Sequence, residues 1–203
     1  KTKLSAFFKV FENREFRSVA LGYFGHMWEL YAFWAFVPVM LKSYSLVSHE
    51  ASLNIPLLSF FIIGIGGLAC VIGGYLAQMI GTKKTAIISL LLSCICCFMY
   101  PWVFTFDNES IFIGFLVFWG MVVIADSPLF STLVAKNALP EIKGTALTIV
   151  NCIGFSMTIM SIQLINGMKT FTDSNSIYMV LALGPIMGLI ALKRRNKSQA
   201  VES

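Results

Sequence analysis

The chain has 203 residues, of which 57% are hydrophobic and 12% charged, with a formal net charge of +5 and a mean hydropathy of +0.79. Soluble domains carry roughly 25% charged residues, and a soluble protein this poor in polar groups could not cover its own surface. The composition excludes a water-soluble globular domain and points to a membrane protein.

Residues 1–17, KTKLSAFFKVFENREFR, are polar and basic and show no signal-peptide pattern. Six apolar runs follow, at residues 18–41, 56–80, 85–104, 111–135, 144–166 and 176–192. A helix rises about 1.5 Å per residue, so about 20 residues cross a hydrocarbon core of about 30 Å. The first five runs reach that length, and the last, SIYMVLALGPIMGLIAL, is the shortest. Because the runs are long and do not alternate, helices are expected rather than the short strands of a barrel.

The first run contains GYFGHMWELYAFWAFVP, residues 22–38, in which His26 and Glu29 lie three apart. That spacing puts them on one helix face with Gly22, Gly25 and Phe33. A charge at mid-bilayer costs several kcal/mol, about 2.5–3.5 for an acid on the low estimates. Glu29 is therefore expected to face protein or a water-filled cavity. With His26 it forms either a site that takes up and releases a proton or a fixed interhelical hydrogen bond. Trp28, Tyr31 and Trp34 make either an aromatic binding wall or a set of lipid-facing anchors.

The second run, with GIGGLACVIGG, carries Gly64, Gly66, Gly67, Gly73 and Gly74 and is expected to pack closely on a partner helix. A phosphate-binding loop is not implied, because no strand precedes it. The third run holds SCICC, and the five cysteines (Cys70, Cys94, Cys96, Cys97, Cys152) all fall inside the runs. They read as small packing residues rather than metal ligands or a disulfide framework.

In the fourth run Asp126 is followed by Ser127 and Pro128. Pro128 has no N–H and clashes with the carbonyl of Ile124, so a bend is predicted there. Freed carbonyls beside a carboxylate suit a cation, a proton or a polar substrate. The alternative is a packing kink that Asp126 caps. On the fifth run Asn151, Gln163 and Asn166 add polar positions, as interhelical glue or, for Asn151, as a substrate contact.

Thirteen of the fifteen basic residues fall on one side when the connections are assigned alternately to two sides: Lys1, Lys3, Lys9, Arg14 and Arg17; Lys83 and Lys84; Lys136 and Lys143; Lys193, Arg194, Arg195 and Lys197. Only Lys42 and Lys169 fall on the other. An excess of Lys and Arg marks the cytoplasmic side, so both ends are expected in the cytoplasm, which requires an even number of spans. The basic patches thus set topology, with anionic lipid as a secondary contact, and no nucleic-acid partner is implied. An enzyme is disfavoured, since there is no H-E-x-x-H, no G-x-S-x-G and only two histidines, His26 and His49. No cofactor and no metal are expected.

The stretch GYLAQMIGTKK, residues 74–84, resembles the cytoplasmic loop motif of the major facilitator superfamily, with Gly74, Gly81, Lys83 and Lys84 at matching positions. Gln78 and Met79 replace the motif's acid and first basic residue, which removes the charge pair that helps lock the inward gate and fits the degraded copy in second halves of the family. Residues 125–155, ADSPLFSTLVAKNALPEIKGTALTIVNCIGF, resemble the tenth and eleventh helices of bacterial members. The resemblance implies an all-α membrane protein, six transmembrane helices in two inverted three-helix repeats, forming the C-terminal half of a twelve-helix fold. Residues 1–17 would be the end of the central loop, 18–193 the bundle and 194–203 a cytoplasmic tail. The opening at Lys1 rather than Met agrees with a detached second half.

The same resemblance implies that the first and fourth helices line a central cavity and that the second and fifth face a missing N-terminal six-helix half. The expected function is the C-terminal half of a secondary transporter of the cell (inner) membrane, moving a small polar solute by alternating access, with proton coupling as one option. His26, Glu29, Asp126 and Asn151 are the candidates for proton or substrate binding, and Gly74, Gly81, Lys83 and Lys84 for gating. The alternatives are a six-helix oligomeric channel and a half-transporter that dimerises with itself.

Overall fold

A computed structural model describes residues 11–48 and 53–193. The first ten residues of the expected lead-in, with Lys1, Lys3 and Lys9, lie outside the described residues. So do His49, Glu50 and the tail from Arg194 to Ser203. Six apolar helical spans are present: Arg14–Val47, Ile55–Ile80, Thr82–Phe104, Glu109–Asn137, Pro140–Lys169 and Asn175–Lys193. Each corresponds to one of the six expected runs, and no strand occurs among the described residues.

The first span is a single helix, α1 (Arg14–Val47). It begins before the apolar run because the Asn13 side chain accepts from the N–H groups of Glu15 (2.9 Å) and Phe16 (3.3 Å), which satisfies two of the orphan donors of the first turn. It ends beyond the run because its packing continues to Tyr44, whose ring stacks on Phe112 at 4.0 Å. Its 34 residues rise about 51 Å at about 1.5 Å each, well beyond the roughly 30 Å of a hydrocarbon core.

The second span is interrupted at Ile65, between α2 (Ile55–Gly64) and α3 (Gly66–Ile80), in the glycine-rich stretch where helix propensity is lowest. A single residue, Gly81, joins α3 to α4 (Thr82–Phe104), the third span. Its φ of +96° is one that glycine adopts without steric cost. The fourth span is broken at Asp126, between α5 (Glu109–Ala125) and α6 (Ser127–Asn137). The predicted bend is there, and the carbonyl of Ile124, which Pro128 cannot serve, accepts from the Cys70 thiol at 3.5 Å.

The fifth span is a 3₁₀ turn, Pro140–Ile142, running into α7 (Lys143–Lys169). The sixth differs from a uniform α-helix. Its first eight residues, Asn175–Ala182, are 3₁₀, and α8 covers only Leu183–Lys193. Pro185 explains the change, since it cannot donate to the Leu181 carbonyl and its ring crowds that group. The N–H of Leu183 bonds instead to the carbonyls of Val180 and Leu181.

The first span is the axis of the bundle. It meets the sixth along a seam of glycines, Gly22 and Gly25 against Gly184 and Gly188, where a Cβ on Gly25 would run into the Gly184 carbonyl and one on Gly184 into the Gly25 carbonyl. Ser18 Oγ donates to Ala191 O at 2.6 Å and Trp28 Nε1 to Val180 O at 3.3 Å, so hydrogen bonds fasten the seam towards both ends. Burial is uneven. Only 22% of the apolar window of the second span and 28% of that of the fifth are buried, against 39% to 50% in the other four.

Candidate functional site

The ionisable residues of the spans meet where α1 passes the break in the fourth span. His26, Glu29 and Asp126 are each 1% exposed. His26 Nδ1 stands 2.9 Å from Asp126 Oδ1. The imidazole lies between the rings of Tyr23 (6.1 Å) and Phe130 (5.7 Å), and among the described residues neither its Nε2 nor Asp126 Oδ1 makes a hydrogen bond, so the pair is a close polar contact. The break makes the pair possible: it puts Asp126 at a helix junction, with its side chain turned to His26 instead of capping α6. Asp126 stands at the N-cap position of α6 but makes no side-chain capping bond.

Glu29 occupies a separate polar pocket one turn along α1. Its Oε1 accepts from Trp119 Nε1 (2.8 Å) and Cys97 Sγ (3.3 Å), and its Oε2 from Ser93 Oγ (2.8 Å). The donors come from the third span (Ser93, Cys97) and the fourth (Trp119), so Glu29 ties three spans together. Phe33, one turn further along the same face, packs on Trp119 with ring centroids 4.6 Å apart. His26 and Glu29 thus share a face, as their spacing requires, but engage different partners. The expected pairing between them is replaced by one contact to Asp126 and three hydrogen bonds to Glu29.

The two sites differ in what they can do. His26 and Asp126 are each other's close polar neighbour, and at this burial removing either one would leave the other without a polar atom beside it. Among the described residues Glu29 has three donors and no cation partner, and its network is satisfied in two protonation states. As a carboxylate it accepts from all three donors. As an acid it can give its proton to Ser93 Oγ, whose own hydrogen then turns to Leu90 O at 3.2 Å. A hydroxyl that donates or accepts by rotation makes this exchange without moving a helix.

Asn151 does not join this cluster. The side of α7 that meets α1 carries Gly154, pressed on Tyr23 and Met27, and Thr158, whose hydroxyl donates to Met27 O at 2.9 Å. Asn151 is exposed, as are Ser156, Gln163 and Asn166. Trp28 is buried and structural through its bond to Val180 O, whereas Tyr31 and Trp34 lie half-buried, with Tyr31 5.5 Å from Phe155 on the open side of α7.

Of the gating candidates, Gly81 makes the whole connection between two spans. Lys83 Nζ lies 3.7 Å from Glu15 Oε2 at the start of α1, a half-exposed pair worth at most about 1 kcal/mol, and Lys84 is exposed. Gly74 has no atom within 4 Å of a built Cβ. The close approach falls at the neighbouring Gly73, whose Cβ would meet Ala125 O at 2.8 Å, beside the Asp126 break.

Sequence reasoning missed Ser93, Cys97, Trp119 and Glu15. The signal for the first two was their i, i+4 spacing, which aligns a hydroxyl and a thiol on one helix face within SCICC. For Trp119 it was an indole N–H in an otherwise apolar run, a donor that must find an acceptor when buried.

The family model described as Major Facilitator Superfamily matches residues 1–162. The curated proteins contain no match to the chain.

Proposed function

The chain belongs to the major facilitator superfamily, and on that premise we propose that it is the C-terminal six-helix half of a secondary transporter that moves a small polar solute by alternating access, with Glu29 as the proton-coupling group. Membrane transport of the major facilitator type follows from the family, and the all-α fold of six apolar spans agrees with half of its twelve-helix architecture. The observation that carries the finer reading is the Glu29 network, a buried carboxylate shared by three spans that keeps its hydrogen bonds with or without a proton. His26 and Asp126 hold the first span to the fourth at its break and act as a positioning pair beside it.

The open faces of the second and fifth spans support a companion bundle. Asn151, Gln163 and Asn166 are exposed on a helix that would otherwise turn them to acyl chains, where an amide without a partner costs several kcal/mol. A companion six-helix half would cover them or leave them lining a polar path between the two bundles, with Asn151 as a substrate contact. Gly81, Lys83 and Lys84 would sit at the cytoplasmic gate, in the inner membrane, with both ends of this chain inside.

The test uses the full-length transporter in proteoliposomes, with a substrate identified by a thermal-stabilisation screen. Glu29→Gln is expected to abolish substrate-driven proton movement while retaining substrate exchange. Wild-type proton coupling in that variant would reject Glu29 as the coupling group.

A further inference from the structure

We propose that the basic end of the cleft between the first and sixth spans binds the phosphate headgroup of an anionic phospholipid. The cleft encloses about 50 Å³ and is lined by Arg14, Glu15, Arg17, Ser18, Leu21 and Ala191. Arg14 and Arg17 are three apart on one face of α1 and both are exposed. The bond from Ser18 Oγ to Ala191 O fastens the end of α8 beside them. This brings the exposed Lys193 to the same end.

The electrostatic balance of the cleft is positive. Its one acid, Glu15, is answered from the third span by Lys83 at 3.7 Å. Arg17 donates to Phe11 O at 3.4 Å, and a guanidinium has five N–H donors, more than that contact uses. The two arginines can therefore grip a phosphate through charge-assisted bonds.

A lipid, rather than a soluble anion, is favoured by what adjoins the arginines. Leu21 is 47% exposed, and on the outward face of α8 Leu183, Met187 and Ile190 are 49%, 49% and 59% exposed. From Arg17 to Leu21 α1 rises about 6 Å, which carries the surface from headgroup level to the first methylenes. Charge above and an apolar track below match an amphiphile whose phosphate is held and whose chain lies along the protein.

The experiment is native mass spectrometry of the full-length protein released from neutral detergent, titrated with dioleoyl phosphatidylglycerol, dioleoyl phosphatidylcholine or glycerol 1-phosphate. Each basic side chain near an anionic headgroup contributes about fivefold in affinity. Arg14→Gln with Arg17→Gln should therefore weaken phosphatidylglycerol retention by about 25-fold. Lys42→Gln, at the other end of α1, should leave it unchanged. A second variant, Leu21→Asn, should weaken phosphatidylglycerol while leaving any glycerol 1-phosphate binding as it was. Equal retention of both lipids by the wild type, or undiminished phosphatidylglycerol in the double-arginine variant, would overturn the proposal. So would glycerol 1-phosphate binding as tightly as the lipid. None of these readouts depends on transport, so the site stands or falls apart from the proposed function.

Discussion

Replacing Asp126 by alanine tests whether the contact with His26 holds the first span to the broken fourth. Both side chains are 1% exposed and 2.9 Å apart, and His26 Nε2 already lacks a partner. The substitution would remove the one polar atom the structure places beside the imidazole. Breaking a buried pair from one side costs about 3–5 kcal/mol. We take the lower end, about 3 kcal/mol, because a single contact is lost. Replacing both partners by leucine removes the polar groups together and should return the protein to within about 2 kcal/mol of wild type. The assay is a double-mutant cycle on the full-length protein, unfolded by denaturant in mixed micelles. With about 3 kcal/mol lost in each single leucine variant and about 2 in the double, an interaction energy of about 4 kcal/mol is expected between the two positions. If Asp126→Ala costs less than about 1 kcal/mol, or if the two single losses simply add in the double variant, the pair does not hold the spans together.

The glycine seam makes a contrast that one measurement can read. Gly25→Ala would push a methyl into the Gly184 carbonyl, with a loss of about 2 kcal/mol or more from overpacking, whereas Gly67→Ala meets nothing within 4 Å and should be neutral or gain up to about 1 kcal/mol of helix propensity. Equal thermal stabilities for the two variants would contradict the packing described. Gly81→Ala forces a side chain into φ +96°, at about 1–2 kcal/mol, and should lower the melting temperature although the site is exposed. Lys84→Cys should react with a membrane-impermeant maleimide in inside-out vesicles only. Reaction in right-side-out vesicles instead would reverse the proposed orientation.

The fold was readable because its determinants are coarse. Long apolar runs separated by polar connections identify helices one by one, and each of the six lies within a few residues of its run. Where the ends differ, a short-range feature decides: the Asn13 cap extends the first span, and Pro185 turns the start of the sixth into 3₁₀. The site was readable only as a set of costs. Burying Glu29 and Asp126 in lipid had to be compensated, but sequence cannot say by which groups, because the compensation comes from distant residues. Glu29 lies 64 positions from Ser93 and 90 from Trp119. His26 sat three residues from Glu29 and 100 from Asp126, and the remote acid is the one it meets. Adjacency along a helix was the wrong guide, since a helix presents its face to other helices.

The seam between the first and sixth spans has a mechanical consequence. Ordinary helix pairs mesh like gears, ridge into groove, and can shift only by whole notches. Here bare peptide rests against bare peptide between Gly25 and Gly184, with the Trp28 side chain laid on Gly184 and Leu192 on Gly22. The rods stand closer than a pair of ordinary side chains would let them, so any bulk added at the seam must prise them apart against the fastenings at Ser18 and Trp28.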